Sequence, residues 1–150
     1  MKAVPRLFLD ANVFIAAAGS HTGASALVLA LCRHGHAKAV TSRLVLFEAE
    51  RNIRGKLGED PLLRFYQEIA ALDLDLVEAP SPEEIAIQSR IIDPKDAHVL
   101  AAALKGGVDG LLTLDRKHFL SPSVLQADLL FQIMTPGDFL RRLVKKWEQS

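Results

Sequence analysis

Cysteine is nearly absent: Cys32 is the single one in the chain. That excludes an intrachain disulfide framework and any Cys-based zinc site. Its apolar neighbours Val28, Leu29 and Leu31 give it the role of a small core residue. No apolar run reaches the roughly 18 residues that a membrane-spanning helix requires, and the N-terminus lacks a signal peptide's uninterrupted apolar region and small-residue cleavage site. A cytoplasmic protein without a membrane partner is therefore expected. Net charge is also missing, since 18 Lys and Arg balance 18 Asp and Glu. Bulk charge does not mark a nucleic-acid binder, and a nucleic acid would have to be attracted by local Lys and Arg or by a bound cation. Repeats, low-complexity tracts and linkers are absent too. What remains is a chain of 150 residues, long enough to bury about two thirds of its unfolded surface as one domain over residues 1–150.

The most informative stretch is Arg6-Leu7-Phe8-Leu9-Asp10-Ala11-Asn12-Val13-Phe14-Ile15. A short apolar run stopped by Asp10 and Asn12 reads as a buried central strand that gives way to a loop. In open α/β sheets ligands bind at the carboxyl ends of the strands, where Asp10 falls. The plainer reading, equally open on this motif alone, is that Asp10 and Asn12 make a turn or cap the helical segment from Val13 to Ala18.

Helix and strand signals then alternate. A loop over Gly19–Gly23 precedes a helix from Ala24 to His34 that Gly35 closes, with His34 and His36 placed to suit the helix dipole. Lys38–Thr41 is a weak strand, and Ser42 offers an N-cap for a helix to about Leu57. On that helix Val45, Glu48, Ala49, Asn52 and Ile53 share one face, which puts the Glu48 carboxylate on an apolar stripe, a costly place unless it is paired or bound to metal. Glu50 precedes Arg54 by four residues and reads as an exposed ion pair. A helix from Glu59 through Leu72 leads to a short strand over Asp75–Glu78, with Asp73 and Asp75 alternating with leucine as on a strand with one wet face. Ser81-Pro82-Glu83-Glu84 and Asp93-Pro94-Lys95-Asp96 each carry an N-cap, a proline and an acidic first turn. The second of these helices runs to Lys105, where Gly106-Gly107 stop it. Asp96 shares a face with Val99, Leu100 and Ala103, although an acid at that position also completes a capping box. A second apolar run, Asp109–Asp115, again ends in a carboxylate and is followed by Arg116-Lys117-His118. Phe131–Met134 forms a last strand, and Thr135-Pro136-Gly137-Asp138 opens a helix to about Trp147.

Alternating strands and helices with right-handed crossovers make a mainly parallel sheet covered on both faces. With the Asp10 and Asp115 strands as central neighbours, their ends face one crevice that Glu48 and Asp96 can enter from helices. Four acids in one place repel one another unless a cation sits among them. Oxygen donors without cysteine or paired histidine suit Mg²⁺ or Mn²⁺, which also bind substrate phosphates, so phosphodiester hydrolysis fits the set.

Leu-Phe-Leu-Asp10-Ala-Asn12-Val, Glu48 on its helix, Asp96 in Asp93-Pro-Lys-Asp96-Ala-His-Val-Leu, and Thr113-Leu-Asp115 together resemble the acidic motifs of PIN-domain nucleases. The resemblance continues to Thr135-Pro136-Gly137-Asp138-Phe139-Leu140. It implies a three-layer α/β/α fold with a five-stranded, mainly parallel sheet and a Mg²⁺- or Mn²⁺-dependent ribonuclease. Asp10, Glu48, Asp96 and Asp115 would surround the metal, Asn12, Asp93 and Thr113 would support them, and Arg116 and Lys117 would meet substrate. Members of this size resemble VapC, the toxin of toxin–antitoxin pairs, which implies RNA, a small antitoxin protein and a second copy of the chain as partners. The alternatives are a PIN-fold nuclease of RNA processing, a nucleic-acid-binding module without catalysis and, last, a haloacid-dehalogenase-like phosphatase. That phosphatase needs a second Asp where this chain has Asn12.

Overall fold

Leu7, Phe8 and Leu9 are all buried, and three consecutive buried side chains on one strand mean that both faces of the sheet are covered. They form β1 (Arg6–Leu9), the middle strand of the computed structural model, which describes residues 3–149. Met1, Lys2 and Ser150 of the expected domain lie outside the described residues. The five strands run in the order β3-β2-β1-β4-β5. These are β2 (Lys38–Ser42), β3 (Asp75–Val77), β4 (Gly110–Leu112) and β5 (Gln132–Met134). Every neighbouring pair is parallel, and in the central pair Leu7, Phe8 and Leu9 face Gly110, Leu111 and Leu112. The expected three-layer α/β/α arrangement with a five-stranded parallel sheet is the one observed.

Parallel strands need crossovers, and helices supply them. Between β1 and β2 lie α1 (Ala11–Gly19) and α2 (Ala24–Arg33), and between β2 and β3 lie α3 (Arg43–Lys56) and α4 (Glu59–Ala71). Helix α1 packs against α2, α3 and α4. The crossover to β4 is made by α5 (Pro82–Gln88) and α6 (Pro94–Lys105), which pack on each other while α6 rests on β2 and β3. Two short helices, α7 (Arg116–Phe119) and α8 (Pro122–Leu125), and the closing α9 (Pro136–Glu148) complete the chain. The sequence pattern does not announce α7 and α8, because four-residue helices are too short to show a period.

Local chemistry explains most boundaries. Ser42 caps α3 through Val45 N–H, and Thr135 caps α9 through Asp138 N–H. Ser81 and Glu84 make a reciprocal capping box on α5. Where α6 ends, Gly106 is pressed against the sheet: a Cβ there would stand 2.9 Å from Val77 Cγ2 and 3.4 Å from Val40 Cγ1. Cys32 packs half-buried against the core, and burial, followed by the charge of Glu68, pushes its thiol up to about 12. His34 caps the end of α2, and the His36 ring meets Trp147 edge-on at 6.3 Å.

Two local expectations are corrected. Glu50 and Arg54 meet through a third residue: the Tyr66 hydroxyl donates to Glu50 Oε2 at 2.9 Å and accepts from Arg54 Nη2 at 3.0 Å. On β3 no single face is wet: Leu76 is 43% exposed, and the Asp75 side chain, which pairs with Arg6 at 2.8 Å, is 45% exposed. Short edge strands lie at the margin of the covering helix layers, where both faces can reach solvent, so alternation alone does not define one wet face.

Candidate metal-binding site at the ends of β1 and β4

The ladder between β1 and β4 continues one residue past the strands, because Asp10 N–H donates to Leu112 O at 3.1 Å. That bond seats Asp10 beside Thr113. The Asp10 carboxylate then does two jobs. Oδ1 accepts from Ala11 N–H at 2.8 Å, capping α1, and Oδ2 accepts from the Thr113 hydroxyl at 2.8 Å and more weakly from Asn12 Nδ2 at 3.4 Å. With only 6% of the residue exposed, burial pushes its pKa up to about 6. The Thr113 and Ala11 hydrogen bonds oppose that rise, and the charges of Glu48 and Asp96 add to it.

Thr113 is the hinge of this arrangement. Its hydroxyl donates to Asp10 and accepts from Asn12 Nδ2 and from Asp115 N–H, both at 3.1 Å. Asn12 completes the loop, because its Oδ1 accepts from Leu114 N–H at 3.0 Å. The two strand ends are thus sewn together by side chains as well as by the ladder.

Asp115 lies just beyond and caps α7, accepting His118 N–H on Oδ1 at 3.1 Å. Its Oδ2 is 2.8 Å from His118 Nδ1. Burial alone would raise its pKa, but the His118 hydrogen bonds and the charges of His118 and Lys95 outweigh that and hold the carboxyl below its ordinary range. Asp96, in the first turn of α6, shifts the other way: burial raises it, Asp115 and Asp93 add to the rise, and His118 and Lys95 oppose it. Its Oδ2 is buried with no hydrogen-bond partner, so Asp96 does not close the capping box that its position allows. The cap on α6 comes from Asp93, whose Oδ1 accepts from Lys95 N–H at 3.0 Å.

Glu48 reaches the group by charge: half-buried on α3, it raises both Asp10 and His98. Val45, Ala49 and Ile53 on the same face are fully buried, so the expected stripe is present and carries this carboxylate inward. Of the two expected cations, Lys117 lines a shallow cleft of about 290 Å³ with His118 and Asp93. Arg116 turns away to lie 3.9 Å from Asp138.

Two histidines escaped the reading of the sequence. His118 brings its ring to Asp115 and Asp96, and candidate ligand atoms of these three residues all lie within 4.8 Å of one another. The three-residue step from Asp115 was a legible signal for that contact. His98 is half-buried on α6, and burial lowers its pKa while Glu48 and Asp96 pull it up. The donor set fits a divalent cation: anionic oxygens dominate, one buried oxygen lacks a donor, the charges of Glu48 and Asp96 raise the pKa of Asp10, and that of Asp115 raises the pKa of Asp96.

The sequence matches the family model described as PIN domain over residues 6–117. No curated protein matches the chain. Among solved structures, VapBC2 from Rickettsia felis, bound to a DNA fragment from their promoter, is 16% identical with a TM-score of 0.63, over 87% of this chain and 98% of that one. A Pyrobaculum aerophilum protein is 19% identical with a TM-score of 0.61, over 95% and 97% of the two chains. The sarcin–ricin loop cleaving toxin VapC20 of Mycobacterium tuberculosis is 14% identical with a TM-score of 0.53, over 74% and 91%.

Proposed function

The chain belongs to the PIN domain family, and we propose that it is a metal-dependent endoribonuclease that acts as the toxin of a toxin–antitoxin pair. Family and fold likeness support a nuclease. The observation that carries the reading further is the unpartnered, buried Oδ2 of Asp96, which lies beside Asp115 at the end of the central strand pair. The RNA substrate and the antitoxin are supported by likeness to VapBC2 and to a toxin that cleaves the sarcin–ricin loop.

In this reading Asp10, Glu48, Asp96 and Asp115 hold Mg²⁺ or Mn²⁺, which when bound activates water and steadies charge on the phosphate and the leaving oxygen. The rest is the work of the chain. Ala11 N–H and the Thr113 hydroxyl fix both oxygens of Asp10, so its orientation is set before substrate arrives. Asn12 holds the Leu114 amide and thereby the start of the turn that presents Asp115. Lys117, which lines the shallow cleft together with Arg90, is proposed to meet an RNA phosphate. Arg116, paired near Asp138, contributes to the field from one side. A small antitoxin protein that covers the cleft and a second copy of the chain are the proposed protein partners. The proposed compartment is the cytoplasm; among the described residues no single helix is long and apolar enough to cross a membrane.

Purified protein incubated with structured and single-stranded RNA tests the reading. Cleavage is expected with Mn²⁺, and none with EDTA or in Asp10→Asn. Wild-type cleavage by Asp10→Asn would overturn the assignment of the site.

A further inference from the structure

We infer, building on the metal-dependent nuclease reading above, that His118 is a direct nitrogen ligand of the bound ion, so that the site selects Mn²⁺ over Mg²⁺. The backbone and the ring of His118 are both fixed against Asp115. One carboxylate oxygen takes the His118 N–H at 3.1 Å, and the other lies 2.8 Å from Nδ1. The same Nδ1 is 3.9 Å from Asp96 Oδ2, the buried oxygen that no hydrogen bond satisfies.

These distances bear on what the ring is for. A cap on α7 together with a ring contact to Asp115 accounts for Asp115 alone. It leaves Asp96 Oδ2 without a donor, since 3.9 Å is too long for a hydrogen bond. An ion bonded to both oxygens and to the ring satisfies all three. With bonds of about 2.1 Å, two ligand atoms on one octahedral ion stand about 3 Å apart when adjacent and about 4.2 Å apart when opposite. The 2.8 Å separation is just under the adjacent value and the 3.9 Å one lies between the two, so shifts of a few tenths of an ångström bring the three atoms onto one ion. Ligation through Nδ1 leaves the ring proton on Nε2. His118 also lines the shallow cleft with Lys117, and its side chain is 32% exposed, so the ring can be reached from solvent.

Ligand chemistry then sets the metal. Mg²⁺ favours an all-oxygen shell that keeps several waters; Mn²⁺ is the weakest nitrogen binder of the first-row series, yet it takes an imidazole nitrogen more readily than Mg²⁺ does. Replacing the nitrogen by an amide oxygen should therefore cost Mn²⁺ affinity and leave Mg²⁺ affinity nearly untouched.

The test uses the full chain, stripped of metal and titrated with Mn²⁺ or Mg²⁺ by calorimetry, with pulsed electron paramagnetic resonance on the Mn²⁺ form. The wild type is expected to show a nitrogen coupling typical of bound imidazole. His118→Gln, whose folding is checked by its melting curve, should lose that coupling. It should also bind Mn²⁺ at least about tenfold more weakly while its Mg²⁺ affinity changes by less than about threefold. His118→Asn serves in its place where the Gln variant does not fold. A coupling that survives in these variants and disappears in His98→Gln would assign the nitrogen to His98 and overturn the inference. Tight Mn²⁺ binding without any nitrogen coupling would also overturn it, yet leave the nuclease reading standing. Failure of both ions to bind the wild type would remove both readings.

Discussion

Asp10→Asn removes a negative charge from a place that resists it, so in the absence of metal it should change stability in opposite directions at acid and at neutral pH. The Asp10 carboxyl ordinarily titrates at 3.8 and in the folded chain near 6. Between these values the folded state holds a proton that the unfolded state has released, so wild-type stability falls as pH rises, by about 1.4 kcal/mol per pH unit. The Asp10 contribution is about 3 kcal/mol, fully present below pH 3.8 and gone above pH 6. Asn at this position escapes that loss. It keeps an oxygen for Ala11 N–H, but it puts an amide N–H where Oδ2 accepted the Thr113 hydroxyl. That hydroxyl already accepts two other N–H groups, so the mismatch costs about 1–2 kcal/mol. In EDTA the variant should be the less stable protein at pH 4 by about that amount, and the more stable one at pH 8 by a similar amount. For a chain of this size the difference is about 3–6 °C in melting temperature. Urea denaturation of both proteins from pH 4 to pH 8 measures it directly. Saturating Mn²⁺ should then favour the wild type, since only it keeps the full ligand set; a hundredfold excess over Kd adds about 2.7 kcal/mol. Stability curves that never cross would refute the claim that burial governs Asp10.

The acids at the start of α6 should separate by role. Asp93→Asn keeps a capping oxygen for Lys95 N–H and is expected to cost under about 0.5 kcal/mol with cleavage retained, whereas Asp96→Asn should lose most cleavage with its melting temperature held or raised; equal activity in the two variants would contradict this. Gly106→Ala forces a methyl to 2.9 Å from the stiff Val77 side chain and 3.3 Å from Ala102 O, so chemical denaturation should show a loss of about 1–3 kcal/mol.

What the sequence revealed and what it concealed follow from distance along the chain. The buried strands were legible because Leu7–Leu9 and Leu111-Leu112 are apolar without alternation, and the caps at Ser42, Ser81, Asp93 and Thr135 were legible because their partners lie within three residues. Glu50 and Arg54 were misread because Tyr66 arrives from another helix to join them. Asp96 was ambiguous for a similar reason: its place in α6 suits a cap, and only the three-dimensional arrangement shows its Oδ2 unpartnered beside His118. His118 was passed over because a histidine in a basic tripeptide reads as a solvated side chain, although its three-residue step from Asp115 allows the contact that its ring makes.

The bond from Thr113 to Asp10 spans 103 positions of the chain, and that separation bears on how the protein is made. A ribosome releases Asp10, Glu48 and Asp96 well before Thr113 and Asp115. Until the segment carrying β4 emerges and inserts beside β1, Asp10 Oδ2 has no hydroxyl to hold it and Asp96 has no Asp115 or His118 beside it. Contacts of such long range close late because loop entropy must be overcome first. A chain interrupted before residue 113 therefore carries three of the acids without the partners that gather them, and on the proposed reading of the site cleavage is expected only once synthesis has passed that point.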